Sequence, residues 1–264
     1  MVSMVSGGDT SPGAGAGFKM DPLRPNTESQ SRESLTFPLV LAVSAPIAVI
    51  IGVEVLRSVW WTFVLYQGVI CLIAPALDSR VHGRGWHEHA VLLGLLRAPD
   101  GPPRRLPFAT VLGLLTALVT GGFLAITRNA FLDPNRLETT LSGWGASPQR
   151  IPAMLAIMAV IDATAEELFW RGYIPGRVAR ARPGQARSIA LAVVLPAILY
   201  ASYHAVTIGH LVGGTFGVVI LTGGVLAAGV FWGWLRRRTG SVWPPLLSHA
   251  GAVLAYLAIE VWLT

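Results

Sequence analysis

The stretch Ala165-Glu166-Glu167-Leu168-Phe169-Trp170-Arg171-Gly172-Tyr173 decides how this chain is read. It sets two adjacent carboxylates and an arginine in an apolar run, 150–172, that is otherwise long enough to cross a bilayer. A charge in hydrocarbon costs at least ~2.5 kcal/mol even on the mild insertion scale, so such residues face a protein-lined interior and have a task. Two lone histidines, His204 and His249, follow in later apolar runs. Carboxylates and imidazoles sunk in a bilayer suggest activation of water there.

Helical spacing sharpens this reading. Glu166 and Glu167 point about 100° apart on a helix. Asp162 and Glu166 share one face; Glu167 and Arg171 share the next, in the favourable order of acid before base. The expected arrangement is a Glu167–Arg171 pair that locks the helix and a Glu166 that faces a cavity. The structural alternative is an ion network that only fixes helix register. For each histidine the alternative is a hydrogen-bonded core residue. Proton relay by Asp162, Glu166 and His204 in a transporter is a third reading, against which no two-halves internal repeat is seen.

Composition extends the membrane reading to the whole chain. Of 264 residues, 53% are hydrophobic and 13% charged, where a soluble domain carries about 25% charge. The net charge is +6, but the arginines cluster between apolar runs, which is the positive-inside pattern and not a nucleic-acid stripe. The single cysteine, Cys71, excludes an internal disulfide and reads as packing. Residues 1–33 are rich in Gly, Ser and Pro and read as a disordered tail without a secretory signal, leaving 34–264 as a transmembrane domain. The fold class expected is all-α: a polytopic transmembrane helix bundle of about seven spans.

Those spans are 36–57, 58–77, 106–127, 150–172, 188–208, 211–235 and 241–263. An eighth would need a helix within 78–105, where Ala90–Leu96 is too short to cross and suits the interface. Seven spans put the basic segments 78–105, 173–187 and Arg236-Arg237-Arg238 on one side, predicting a cytoplasmic N-terminus. Glu54 and Arg57 read as a snorkelling pair at the first joint, and Trp60-Trp61, Trp232 and Trp234 as interfacial anchors. Glycines 213, 214, 217, 223, 224 and 229 read as close-packing faces. The abundance of Ala, Gly and Arg with almost no Lys suggests a bacterial gene, hence a multi-pass protein of the bacterial inner membrane.

Three segments together resemble the CPBP intramembrane proteases, which include the type II CaaX prenyl endopeptidases and the bacterial Abi-type proteins. An EExxxR motif is matched by Glu166, Glu167 and Arg171, followed by Gly172. An FxxxH motif is matched by Tyr200 and His204, with Tyr in place of Phe. A basic turn and TGS-W-P segment ending in His-Ala is matched by Thr239-Gly240-Ser241-Val242-Trp243-Pro244 and His249-Ala250. The resemblance covers roughly 150–258. It implies proteolysis by a water that Glu166 activates as general base and His204 positions. His249 would stabilise the oxyanion, and Glu167 with Arg171 would orient Glu166. The implied partners are the lipid bilayer and a peptide or lipid-modified protein substrate, CaaX-like or a sorting tail, with no nucleic acid and no cofactor. The alternative is a zinc metalloprotease with Glu166, His204 and His249 as ligands, though the HExxH spacing of zincins is lacking.

One position departs from the family pattern. Where Asn often stands four residues after the last histidine, this chain has Val253, which cannot donate a hydrogen bond. Either Ser248, His210 or a backbone group replaces the donor, or the chain is a non-catalytic scaffold or immunity protein of the same fold. His204 also reads as about 10 Å deeper than Glu166, if their helices begin at Ser188 and end near Gly172.

Overall fold

In the computed structural model, residues 34–96, 106–131, 133–146, 157–181 and 189–263 are described. The expectation of a disordered tail at 1–33 falls outside them. The chain is an all-α polytopic bundle, with no strand among the described residues. Its helices are α1 (Thr36–Val55), α2 (Val59–Val81), α3 (Trp86–Leu93), α4 (Leu106–Phe131), α5 (Pro134–Gly143), α6 (residues 158–181), α7 (Ala190–Leu211), α8 (Thr215–Thr239) and α9 (Trp243–Leu263). Among the described residues, five are long and apolar enough to cross a membrane: α1, α2, α4, α7 and α8. They coincide with five of the seven expected spans. The other two fall on α6 and α9.

The position of α6 explains how charge is tolerated. It packs against α1, α2, α3, α7, α8 and α9, so Glu166, Glu167 and Arg171 are enclosed by protein. Phe169, Trp170 and Tyr173 sit at the centre of the apolar core, beside Tyr66, Cys71 and Trp232. Lipid-facing apolar side chains lie instead on the outer helices, as at Leu118, Val119 and Phe216, each more than 70% exposed. Helix α6 is also longer than hydropathy suggests. It continues past Gly172 to Ala181, carrying wide π-type turns at Met158–Asp162 and Leu168–Tyr173. Glu166 therefore lies fifteen residues before one helix end and His204 fourteen residues after the start of α7 at Ala190. At 1.5 Å per residue both sit roughly 20 Å in, which removes the expected mismatch in depth.

Several arginines are buried struts. Arg84 and Arg177 are 5% and 1% exposed and converge on Asp78, with Arg177 Nε 3.3 Å from Asp78 Oδ2. This cluster joins the end of α2 to α6. Next to it, burial and the nearby Arg84 charge hold the His89 imidazole below its usual range, with Nδ1 2.7 Å from Ser79 Oγ. Helix α3 docks on α6 through two glycines: a Cβ at Gly172 or Gly176 would meet the carbonyl oxygens of Leu93 and Leu92 at 2.9 and 2.5 Å. The Thr239–Trp243 turn caps the same region. Val242 N–H and Trp243 Nε1–H donate to the carbonyls of Gly94 and Leu95, and Gly240 takes a left-handed φ of 65°.

The first joint differs from expectation. Glu54 pairs with His210 across the bundle at 2.6 Å, not with Arg57, which takes a positive φ of 47° in the tight α1–α2 turn. The glycine expectation splits. Gly217 and Gly229 do meet neighbouring side chains, whereas Gly213, Gly214, Gly223 and Gly224 have open space where a Cβ would be.

Helices α4 and α9 cross with their backbones in close approach. A Cβ at Gly251 would overlap the Gly113 carbonyl oxygen, and one at Gly113 would lie 2.7 Å from the Leu247 carbonyl oxygen. Because backbone cannot step aside as a side chain can, Gly251→Ala is expected to destabilise the bundle by about 1–3 kcal/mol. A lowered unfolding midpoint in detergent would register it, with Gly223→Ala as the silent control.

Candidate active site

Four of the five expected site residues form one connected cluster. Glu166, Glu167, Arg171 and His249 are all at most 5% exposed. Arg171 Nη1 donates to Glu167 Oε1 at 2.8 Å, the expected i, i+4 pair. The same oxygen lies 3.0 Å from His249 Nδ1. A carboxylate only accepts, so Nδ1 carries the hydrogen and Nε2 is turned toward Glu166, 3.8 Å from its Oε2. Glu167 thus holds both the arginine of its own helix and the histidine of α9.

Aromatic side chains fix these groups. Trp232 stacks on the His249 ring at 4.4 Å and donates from Nε1 to Ser248 Oγ at 2.9 Å. It is 5% exposed, so it is a wall of the site and not an interfacial anchor as its place in α8 suggested. Trp61 and Trp234 do lie on the surface. The Arg171 guanidinium lies 4.6 Å above the Tyr200 ring and 5.1 Å from Trp232, where the ring faces favour its charge.

His204 is near but differently engaged. Its Nδ1 donates to the Tyr200 backbone carbonyl at 2.9 Å, which leaves Nε2 as an acceptor in the neutral ring. The ring sits against Tyr200 and Tyr203, with centroids 4.5 and 4.4 Å away. Asp162, one turn before Glu166, accepts a hydrogen bond from Gln67 Nε2 of α2.

Two tyrosines complete the site. Tyr203 Oη donates to Glu166 Oε1 at 2.5 Å, and Tyr200 Oη lies 3.2 Å from His249 Nε2. Glu166 Oε2 has no hydrogen-bond partner among the described residues. The two groups considered as stand-ins for the donor missing at Val253 are committed elsewhere. Ser248 Oγ is shared by Trp232 and Thr116, and His210 is bound to Glu54. Val253 itself packs in an apolar cluster with Ala146 and Trp60.

A zinc site fits these side chains poorly. Among the described residues no three His, Cys, Asp or Glu side chains are arranged to hold a metal ion. Both His249 nitrogens already face protein partners, Glu167 and Tyr200.

Comparison with known proteins locates the same region. Residues 148–255 match the family described as Type II CAAX prenyl endopeptidase Rce1-like. The match contains Glu166, Glu167, Arg171, His204 and His249. No curated protein and no solved structure matches the chain.

Proposed function

We propose that this multi-pass membrane protein, which belongs through residues 148–255 to the Rce1-like family of type II CAAX prenyl endopeptidases, is an intramembrane endopeptidase that hydrolyses its substrate with a glutamate-activated water. One observation carries the reading. Glu166 is buried, one of its oxygens is held by Tyr203, and the other, beside His249, has no hydrogen-bond partner among the described residues.

The chemistry follows from these positions. Glu166 Oε2 takes a proton from water as the water oxygen attacks the peptide carbonyl carbon. His204 accepts the second hydrogen of that water at Nε2 and so orients it. The carbonyl oxygen becomes an oxyanion, which the His249 ring stabilises as an imidazolium through its Nε2–H, with its Nδ1–H held by Glu167. The Tyr200 hydroxyl beside Nε2 is the second donor where Val253 supplies none. When the C–N bond breaks, Glu166 returns its proton to the leaving amine. Arg171 holds the Glu167 carboxylate in place.

The substrate class is a membrane-anchored or strongly hydrophobic C-terminal peptide, and the protein sits in a bacterial inner membrane with its N-terminus in the cytoplasm. The test uses the purified chain in lipid nanodiscs with two probes: a prenylated Cys-Ala-Ala-X peptide and a transmembrane peptide with a short tail. Wild type is expected to cleave at least one. His249→Ala is expected to be slower by about 10²–10³, the usual cost of an oxyanion donor. Equal rates for the two proteins would remove His249 from the reaction. Failure of wild type on both probes would favour the non-catalytic reading.

A further inference from the structure

We propose that Tyr203 is a positioning residue that selects which oxygen of Glu166 acts as the base, through a hydrogen-bond relay that starts and ends on α6. The proposal rests on the reading of Glu166 as general base.

The relay has three links. Trp170 Nε1–H donates to Tyr66 Oη at 2.8 Å, Tyr66 and Tyr203 hydroxyls lie 2.7 Å apart, and Tyr203 Oη donates to Glu166 Oε1 at 2.5 Å. Its direction is determined at both ends. An indole N–H only donates and a carboxylate only accepts. The Tyr66 hydrogen must therefore point to Tyr203, and the Tyr203 hydrogen to Glu166. Every group in the chain is at most 4% exposed, so bulk water does not compete for these bonds. Trp170 lies four residues after Glu166 on the same helix, while Tyr66 comes from α2 and Tyr203 from α7. Three helices thus triangulate one carboxylate.

Two consequences follow. Glu166 Oε1 is occupied by a short, charge-assisted bond, which favours the ionised carboxylate and stops the side chain from rotating. Proton acceptance is left to Oε2, which has no hydrogen-bond partner among the described residues and lies 3.8 Å from His249 Nε2. Among the described residues the Tyr203 hydroxyl hydrogen-bonds Glu166 and Tyr66, and its ring lies against neighbouring rings, so it acts through the base. Other titratable or charged groups around Glu166 are Asp162, Glu167 and Arg171 on α6, Cys71 on α2, Tyr200 and His204 on α7, and His249 on α9. None of them forms a hydrogen bond to Oε1 among the described residues.

The experiment compares wild type, Tyr203→Phe, Tyr66→Phe and Glu166→Gln on the prenylated Cys-Ala-Ala-X probe across a pH series. Tyr203→Phe removes one hydroxyl and keeps the ring. Its kcat at neutral pH is expected to fall about tenfold or more with KM nearly unchanged, the effect of losing a hydrogen bond to a charged group. The sign is determined: without that donor the carboxylate holds its proton more tightly. The acidic limb of the kcat/KM profile then moves to higher pH, and the loss is recovered as pH rises. Tyr66→Phe should shift the limb in the same direction and less. Unfolding midpoints of both variants should match wild type. A Tyr203→Phe profile with its acidic limb where wild type has it would overturn the proposal, even if the rate fell uniformly. Full activity in Glu166→Gln would instead overturn the reading of Glu166 as base, so the two failures are distinct.

Discussion

Glu166→Gln is expected to reduce cleavage of a membrane-anchored peptide by about 10²–10⁴, the range that general-base catalysis supplies. The substitution is nearly isosteric. The glutamine carbonyl oxygen still accepts from Tyr203, so the relay through Tyr66 and Trp170 persists. What disappears is the acceptor at Oε2, which becomes an amide that donates hydrogens and takes none. Burial in the core makes rescue by another base difficult, because the nearest carboxylate of the same face, Asp162, is engaged by Gln67. The expected signature is a lost kcat, unchanged probe binding and an unchanged unfolding midpoint. Kinetics and thermal unfolding of the same preparation check it.

Arg171→Ala is expected to damage stability more than any other single change at the site. Glu167 is fully buried, and its Oε1 is shared by Arg171 at 2.8 Å and His249 at 3.0 Å. Removing the guanidinium leaves a buried carboxylate whose remaining side-chain partner among the described residues is the His249 imidazole. Breaking one side of a buried ion pair costs about 3–5 kcal/mol. The loss also strips the cation from above the Tyr200 and Trp232 rings, the two rings that frame His249. Unfolding in detergent should show a markedly lower midpoint. Glu167→Gln together with Arg171→Ala should recover much of it, because the orphaned charge is then gone. If Arg171→Ala unfolds with the wild-type midpoint, the pair is not a structural strut.

How much of this was visible in the chain alone depends on the range of the interaction. Hydropathy located the helices, since a 20-residue apolar run has few other uses. The Glu167–Arg171 pair was legible because i, i+4 spacing on one helix determines it. Partners separated by many residues were not. Tyr66 and Tyr203 are 137 positions apart, and a tyrosine on an apolar helix looks the same whether it packs, anchors or orients a carboxylate. Trp232 was read as an anchor because a tryptophan near a basic helix end usually is one, yet its ring stacks on His249. Arg84 and Arg177 counted as loop charges, while the structure buries both near Asp78. Hydropathy also ended α6 too early, because its last turns carry two arginines, Arg177 buried within the bundle and Arg180 exposed. The seam at Gly113 and Gly251 passed unnoticed, as isolated glycines do in apolar helices.

The most direct test of the glutamate mechanism is the cleavage rate of wild type in nanodiscs before and after exhaustive chelation, with bound metal measured in the same samples. Unchanged cleavage by metal-free protein is the expected result. Loss of cleavage on chelation, restored by added zinc, would contradict it and make Glu166, His204 and His249 metal ligands.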